Sequence, residues 1–186
     1  MNEWRKVKLK DVVEYIARGI APKYSETNQG IIVINQKCIR NEKLNLNESR
    51  LHADYLKKVV EEKILKKYDI LINSTGVGTL GRVCQNILNE KNMTVDSHIT
   101  IVRPDTKKIN PLFLGYAIKM QQGFIESLGE GSTGQTELKR ERLLNELEIK
   151  YPFSSIIQEK VVYFLLGIDK KIELNEKIND NIIYFP

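Results

Sequence analysis

The stretch 153-FSSIIQEKVVYFLLGIDKKIELNEKIND-180 contains a single glycine and no proline, and it predicts one long helix over about residues 155–183. Ser155, with Gln158 three residues later, is typical of a capping box at the start of a helix. At about 1.5 Å per residue, such a helix is roughly 40 Å long, which exceeds the width of a domain of this size. We therefore expect the helix to extend beyond the domain that precedes it.

The apolar residues of this helix recur in alternating steps of four and three, which is the spacing of a coiled-coil seam. Lys171 and Asn175 fill the intervening heptad positions, and an Asn in a seam fixes register and partner number at a cost in stability. The alternative, that the helix packs back onto its own domain, fits its first three turns but not its polar second half. We predict a protruding coiled-coil arm that pairs through Ile157, Val161, Phe164, Ile168, Asn175, Ile178 and Ile182.

The residues that precede this helix have the pattern of an α+β domain with a mixed, partly rolled sheet. Short β-branched runs predict strands at 31–34, 70–72, near Val83 and at 99–102, and "LEIKYP" predicts a further strand that closes on Pro152. "VKLKDVVEYIARG" predicts a short strand or turn and then a helix that Gly19 ends, and a short helix is expected over about 137–145. Asn110 as cap and Pro111 as first residue predict a helix to about residue 122, with its core face formed by Leu112, Phe113, Tyr116, Ala117 and Met120.

The charge of the chain is unevenly distributed. The first 153 residues carry 25 basic and 19 acidic side chains, whereas residues 154–186 have a net charge of −1. A basic domain suits a polyanion such as DNA or RNA, although a solvated lysine-rich face explains the charge equally well. No apolar run approaches the length of a membrane span and the first residues are charged, so we expect a cytoplasmic protein.

Patterns of catalytic or metal-binding residues are weak. Cys38 and Cys84 stand alone and are expected to be reduced core residues, and with only two histidines a zinc site is not indicated. His98 directly follows Asp96 and Ser97 in a predicted strand, where neighbours point to opposite faces, so Ser97 and His98 cannot form a dyad.

A stand-alone metal-dependent DNA endonuclease is the alternative function. Asp105, Glu148 and Lys150 are the residue types that such an enzyme uses around its metal. More than forty residues and a predicted helix separate Asp105 from the other two, which makes this pattern weak evidence.

Two glycine-rich loops are similar to nucleotide-binding motifs but lack required parts. "STGVGTLGRV" (74–83) has the spacing G-x-G-x-x-G, yet a strand rather than a helix is predicted after Gly81. "GEGSTGQT" (129–136) has Gln135 where a phosphate-binding loop has lysine. The hydroxyls, amides and cations of both loops suit DNA instead, because Gln can read adenine, and Arg or Lys can read guanine or bind phosphates.

Four segments stand out along the chain: "WRKVKLKDVVEYIARGIAPKY", "YDILINSTGVGTLGRV", "GSTGQTELKRERLLNELEIKYPFSSIIQEKV" and "LLGIDKKIELNEKIND". In this order they resemble one half of the DNA-specificity subunit of type I restriction-modification systems. The resemblance covers essentially all 186 residues and is most specific between Gly131 and Asn175.

The resemblance implies a target-recognition domain over 1–152, which reads one half of a bipartite DNA site. It also implies a helical spacer and dimerisation region over 153–186 that pairs antiparallel with a second helix. The family's subunit carries two such domains and two such regions, so this sequence is either a half-subunit that forms a homodimer or a fragment. A two-fold dimer would read a palindromic split site.

In that family, a separate methyltransferase (modification) subunit transfers the methyl group, and a restriction subunit translocates and cleaves DNA. The resemblance therefore implies a non-catalytic DNA reader with no metal and no cofactor of its own. S-adenosylmethionine, ATP and Mg would be used by the partner subunits.

We expect DNA contacts from four segments: the loop after the first predicted helix, the strand "NQKCIR", the glycine turn 75–82 and residues 135–140. In the alternative, Tyr24 packs on the core, and residues 131–136 hold the domain against the helix or the methyltransferase. The candidate DNA-binding residues are Lys23, Tyr24, Asn35, Gln36, Lys37, Arg40, Thr75, Thr79, Arg82, Gln135, Thr136, Lys139 and Arg140.

Overall fold

The computed structural model describes residues 3–90, 92–131 and 136–183. The strands in these ranges are β1 (Trp4–Lys8), β2 (Val13–Arg18), β3 (Ile31–Ile34), β4 (Ile39–Arg40), β5 (Lys43–Leu44), β6 (Arg50–His52), β7 (Ile70–Asn73), β8 (Val83–Gln85), β9 (Met93–Val95), β10 (Ile99–Pro104), β11 (Gly129–Glu130), β12 (Glu137–Leu138) and β13 (Glu148–Pro152). The helices are α1 (Pro111–Lys119), α2 (Gln122–Ser127), α3 (Arg140–Glu146) and α4 (Ser155–Ile183).

The central sheet has the strand order β2-β10-β7-β8 and is antiparallel throughout. Both of its faces are covered, so that Ile70 and Ile72 point into one hydrophobic core while Leu71 between them points into the other. A second sheet, β6-β3-β9, pairs β3 with β9 in parallel and β3 with β6 antiparallel. The strands predicted at 31–34, 70–72, Val83, 99–102 and 148–152 are confirmed.

The two cores lie on opposite sides of the central sheet. Residues of α1, α2, α3 and β13 pack into the first core, where Leu114, Ile118 and Leu143 are fully buried. The second core lies between the central sheet and β3-β9, and it contains both cysteines as free buried thiols. Burial raises the pKa of Cys84 to about 12, and the interpretation of both cysteines as core residues is confirmed.

The helix predicted before Gly19 is wrong, because residues 13–18 form strand β2. Val12, Val13 and Ile16 fit a helical spacing, but β2 pairs with β10 and β1 pairs with β13, partners that are remote in sequence. Gly19 does not end a helix. A Cβ at this position would lie 2.1 Å from the carbonyl oxygen of Val95, so only glycine allows the chain to pass β9 this closely.

Helix α1 begins as predicted but ends earlier. The Asn110 side-chain oxygen accepts hydrogen bonds from the amides of Leu112 and Phe113, at 3.0 and 3.1 Å, which confirms the cap. The helix ends at Lys119 and Met120 is 86% exposed, so its extension to residue 122 and the core-facing Met120 are wrong. A separate helix, α2, follows the turn at Gln121, and α3 begins at Arg140 because residues 137–138 form β12.

The long C-terminal helix is confirmed as α4, but Gln158 does not form the predicted capping box. Its amide nitrogen donates to the carbonyl of Pro152 at 2.9 Å, and its oxygen accepts from the amide of Asn110 at 2.8 Å. This buried side chain therefore ties α4 to the end of β13 and to the start of α1.

Helix α4 contacts the preceding domain at several points along its length. Val162 is buried in the first core, the hydroxyl of Tyr116 donates to Asp169 at 2.6 Å, and Lys43 pairs with Glu176. Burial and the contact with Asp169 raise the pKa of Tyr116. Residues 166–180 are all exposed, so beyond its first turns α4 contacts the described part of the domain only along the side that contains residues 169 and 176. No helix in the described ranges is long and apolar enough to cross a membrane.

Candidate nucleic-acid interface

Three of the predicted DNA-contacting segments meet where strands of the two sheets end. The amide of Ser74 after β7 donates to the carbonyl of His98 before β10, at 2.8 Å. The amide of Leu138 donates to the carbonyl of Ser74 at 2.8 Å, and Thr75 forms a β-bridge with Glu137. This edge joins the glycine turn to the segment around 137–138. Gln36, in the "NQKCIR" segment, contacts the edge at Thr75.

The side chains of Gln36, Thr75 and Thr79, which we call the Gln36 cluster, are hydrogen-bonded to one another. The amide nitrogen of Gln36 donates to the Thr75 carbonyl and lies 3.3 Å from the Thr75 hydroxyl and 3.2 Å from the Thr79 hydroxyl. The Thr79 hydroxyl in turn donates to the Thr75 carbonyl at 3.1 Å. All three residues are half-buried, so the polar groups that the sequence offers for base reading stabilise the turn instead.

The three glycines of the turn are required by its backbone conformation. Gly76, Gly78 and Gly81 have φ angles of 91°, 73° and 85°, a region that is costly for any residue with a Cβ. The turn leads directly into β8, as expected. The G-x-G-x-x-G spacing is therefore a feature of a tight connection between strands, and not of a nucleotide site.

Arg18, at the end of β2, holds this edge together, although it was not among the predicted DNA-contacting residues. Its guanidinium donates to the carbonyls of Ser97 and Leu138, at 3.0 and 3.1 Å, and pairs with Glu137 at 2.8 Å. It also reaches the carbonyl of Ser74 at 3.4 Å. Because residues 13–18 were predicted to be helical, no local pattern pointed Arg18 toward partners some 55 to 120 positions away.

The "NQKCIR" segment is a 3₁₀ turn (Gln36–Cys38) followed by β4, so its prediction as a continuous strand is wrong. The oxygen of the Asn35 side chain accepts from the amide of Lys37 at 2.9 Å, and its nitrogen donates to the carbonyl of Glu48 at 2.5 Å. Lys37 and Arg40 are exposed. Asn35 thus caps the turn, as Asn does at many such positions, while the two cations face solvent.

A shallow cavity of about 280 Å³ lies beside the β4-β5 hairpin and contains two of the candidate cations. Arg82, whose guanidinium donates to the carbonyl of Gly78 at 2.8 Å, lines it together with Arg40. Glu42 and Gln122 contribute to the same walls, so the cavity has mixed charge.

Of the fourth predicted segment, Gln135 lies outside the described residues, whereas Thr136, Lys139 and Arg140 are described. Thr136 is half-buried, and Lys139 forms an ion pair with Glu130 at 2.5 Å. The hydrogen bond with Glu130 raises the pKa of Lys139. Arg140 is exposed and lies 4.0 Å from Glu141.

Lys23 and Tyr24 follow β2 and run beside β6, where both side chains are exposed. The loop that carries them therefore follows a strand, and not the helix that was predicted. Tyr24 stacks against Arg50, whose guanidinium carbon lies 3.3 Å from the centre of the ring. The alternative in which Tyr24 packs into the core is not what the structure shows.

The predicted dimerisation residues of α4 fall into two groups. Ile157 and Val161 are half-buried against their own domain, and Val161 packs on the first core. Phe164, Ile168 and Ile178 are exposed, by 68%, 40% and 46%, and Asn175 is exposed as well. The side chain of Ile182 lies outside the described part.

The candidate nuclease residues already have other partners. Asp105 accepts from the amide of Lys107 at 3.1 Å and pairs with Lys108 at 3.2 Å. Glu148 pairs with Lys8 at 2.9 Å and with Lys6, which lowers its pKa to about 2. Lys150 is exposed on the same strand, opposite Lys6. Within residues 3–90, 92–131 and 136–183, no three His, Cys, Asp or Glu side chains are grouped closely enough to hold a metal ion.

Comparison with known proteins gives one family and a consistent fold. The profile of the type I restriction modification DNA specificity domain matches residues 1–183. The S subunit of a type I restriction-modification system from M. genitalium is 20% identical with a TM-score of 0.65, over 97% of this chain and 44% of that chain. The HsdS subunit from Thermoanaerobacter tengcongensis is 16% identical with a TM-score of 0.66, over 94% of this chain and 39% of that chain.

A third structure, which concerns the complex assembly and conformational transition of the type I R-M system, is 14% identical with a TM-score of 0.67. It matches over 96% of this chain and 41% of its own. The chain thus spans less than half the length of the structures it matches. At these identities the likeness shows the fold, and the α+β class with a long C-terminal helix is confirmed. No curated protein matches the chain.

Proposed function

The chain belongs to the family of type I restriction modification DNA specificity domains, and we propose that it reads one half of a bipartite DNA sequence. The observation that carries this proposal is that the family match runs from residue 1 to 183 and so includes both the mixed-sheet domain and α4. The family is the non-catalytic recognition component of its system and has no cofactor of its own. In this proposal, S-adenosylmethionine, ATP and Mg serve the partner subunits.

The DNA-reading part of the proposed function lies in residues 1–152. The exposed cations among the candidate residues, Lys23, Lys37, Arg40 and Arg140, suit the phosphate backbone, because phosphate contacts need positive charge with access to solvent. The Gln36 cluster and Asn35 shape the surface that carries these cations. Arg82, Gln135 and Thr136 remain candidates for contacts with bases, and Tyr24 contributes through its stack with Arg50.

The proposed DNA binding can be tested with the purified full chain and a labelled pool of random-sequence duplex DNA. We expect affinity to fall steeply as salt rises, because neutralising phosphates releases counterions. Sequencing of methylated sites in host DNA, with and without the gene, would then identify the specific sequence. Absence of salt-dependent binding would contradict the proposal.

The alternative, a stand-alone endonuclease, predicts a different result. Asp105→Asn and Glu148→Gln should leave DNA binding unchanged in our proposal, since both carboxylates pair with lysines of their own surface. Mg-dependent cleavage by the wild-type chain that these substitutions abolish would favour the nuclease instead.

We further propose that residues 153–186 form a spacer through which two copies pair antiparallel. Support comes from the exposed seam at Phe164, Ile168 and Ile178, which exposes apolar surface that a second helix would cover. Replacing Ile168 and Ile178 by Asp should convert a dimer into a monomer in light scattering. Leu174→Asp is the matched control, because Leu174 is exposed but lies outside the four-and-three spacing. An unchanged mass for the double variant would remove the dimer from the proposal.

The proposed partners are double-stranded DNA, a methyltransferase (modification) subunit and a restriction subunit, in the cytoplasm. Docking of the methyltransferase can be tested by co-purification of the two chains without DNA. A chain that binds DNA but never retains a methyltransferase would limit the proposal to DNA reading.

A further inference from the structure

Arg50 and Tyr24 form a stacked pair on the surface of the second sheet. The guanidinium carbon of Arg50 lies 3.3 Å from the centre of the Tyr24 ring, and both side chains are exposed. An arginine side chain loses rotamer entropy when it is fixed, and stacking on a ring meets part of that cost before any ligand binds. The stack therefore holds a planar cation against the Tyr24 ring on an exposed part of the surface.

His52 connects this pair to two neighbouring segments. The imidazole is buried, and its Nδ1 accepts a hydrogen bond from the amide of Lys23 at 2.9 Å. A neutral ring that accepts at Nδ1 carries its proton on Nε2, which lies 2.7 Å from the carbonyl of Lys57 and donates to it. His52 thus fixes the backbones of Lys23 and Lys57 on either side of β6.

The three cations Lys23, Arg50 and Lys57, which we call the Arg50 surface, are exposed. Arg50 lies in β6, and the backbone of Ala53, directly after β6, is hydrogen-bonded to both Lys23 and Lys57. Across the described part of the chain none of them pairs with a carboxylate, in contrast to Lys6, Lys8 and Lys139. The carboxylate of Asp54, in the same loop, accepts from the amide of Val59 at 2.9 Å. The positive charge of this surface is therefore available to an external anion.

The Arg50 surface adjoins the segment around Asn35. Arg50 pairs across the sheet with Val33, two residues before Asn35, and the Asn35 side chain donates to the carbonyl of Glu48. Residues 48–57 thus continue the surface that carries Lys37. Neither Arg50 nor Lys57 lies in a sequence motif, so neither was among the predicted DNA contacts.

We propose that the Arg50 surface binds phosphates of the DNA backbone, with Tyr24 as the platform for Arg50 and His52 as a positioning residue for Lys23 and Lys57. This inference rests on the proposed function and adds a contact region to it. A planar guanidinium fits a phosphate with two parallel hydrogen bonds, and such contacts fix register on the duplex without reading bases.

The test is the salt dependence of binding to random-sequence duplex DNA, measured by fluorescence anisotropy with the full chain. Arg50→Gln should lower the slope of log affinity against log salt by about one, since one phosphate contact is lost. Lys160→Gln, which removes an exposed charge from α4, is the matched control and should leave the slope unchanged. A wild-type slope for Arg50→Gln, while the wild type binds DNA, overturns this inference alone. A wild-type chain that does not bind DNA overturns the proposed function as well.

The roles of Tyr24 and His52 are tested by comparing the DNA affinity of variants, because a loss of folded protein alone would not produce the differences expected between them. Tyr24→Phe should retain the platform and bind like wild type, whereas Tyr24→Leu should weaken binding, and its double mutant with Arg50→Gln should show no further loss. His52→Asn keeps an acceptor for the Lys23 amide and should bind more tightly than His52→Ala at equal folded fraction, measured by circular dichroism. Additive losses for Tyr24→Leu and Arg50→Gln, or equal binding of Asn and Ala variants, would overturn the assigned roles.

Discussion

The Gln36 cluster and the Arg50 surface both consist of polar side chains, but those of the cluster bond to one another whereas those of the Arg50 surface face solvent. In the Gln36 cluster, the amide and hydroxyls of Gln36, Thr75 and Thr79 are bonded to one another and to backbone carbonyls. At the Arg50 surface, the buried His52 side chain forms hydrogen bonds with the backbone of Lys23 and of Lys57, and the cationic side chains face solvent. Polar side chains on loops therefore divide into those that build the loop and those that remain available to a ligand.

The difference also predicts how each region responds to substitution. Removing a side chain with internal partners leaves backbone carbonyls without donors and lowers stability, at a cost of about 1–3 kcal/mol per buried group. Removing a solvent-facing cation changes stability by at most about 0.5 kcal/mol and changes the salt dependence of binding instead. Stability and the salt dependence of DNA binding are therefore the two quantities that distinguish the regions.

The largest effect on stability is expected at Arg18, which joins β2 to three other segments. Arg18→Ala removes the donors for Ser97, Leu138 and Glu137, so we expect the free energy of unfolding in urea to fall by about 2–3 kcal/mol. Arg40→Ala is the matched control, because Arg40 is exposed, and it should change stability by at most about 0.5 kcal/mol. Equal losses for the two variants would break the distinction.

The next effect is expected within the Gln36 cluster. Gln36→Ala leaves the Thr75 carbonyl and the Thr79 hydroxyl without their amide donor and should cost about 1–2 kcal/mol, with an unchanged salt slope for DNA binding. Its neighbour Lys37 provides the control. Lys37→Ala should preserve stability and lower the slope by about one. A reduced slope for Gln36→Ala at equal stability would mean that Gln36 contacts DNA directly.

A smaller effect on folding, but a clear one on binding, is expected for the solvent-facing cations. The double variant Lys23→Gln, Arg40→Gln should keep its unfolding midpoint and lower the salt slope by about two. Urea unfolding and anisotropy titrations on the same preparations separate the two quantities. Unfolding at markedly lower urea would show that these cations stabilise the fold after all.

The smallest effect is expected at Glu148. Its carboxylate has partners, like the side chains of the Gln36 cluster, but it is partly exposed to solvent, like those of the Arg50 surface. Lys6 and Lys8 lower its pKa from 4.5 to about 2, so its contribution to stability is present above about pH 4.5 and is lost as pH falls toward 2. Glu148→Gln should make unfolding less sensitive to pH in this window. The exposed Glu90→Gln is the control, and an identical pH profile for wild type and Glu148→Gln would show that the pairing contributes nothing.

Sequence reasoning succeeded where the evidence was local. The cap at Asn110, the buried strand at 70–73 and the length of α4 depend on residues a few positions apart. It failed at residues 13–18, because the spacing of Val13 and Ile16 is compatible with a helix and only pairing with β10 makes the segment a strand. It also failed at Gln158, which takes distant partners instead of a local cap.

The candidate site was predicted in part. The segments around Lys23, Lys37 and the glycine turn were identified from residue type, but the direction of each side chain was not. Arg18 and Arg50 were missed because the role of each depends on a residue far along the chain, Leu138 for Arg18 and Tyr24 for Arg50.

The sequence by itself determined the α+β class, the β-branched strands at 70–72 and 99–102, and the long helix α4, since apolar runs and the near absence of Gly and Pro are local features of the chain. The tertiary structure decided which polar groups form hydrogen bonds within the fold, as Gln36 does, and which stay available to a ligand, as Arg50 does. The physical reason is that a hydrogen bond depends on the position and direction of both partners, and here those partners come from strands far apart in sequence.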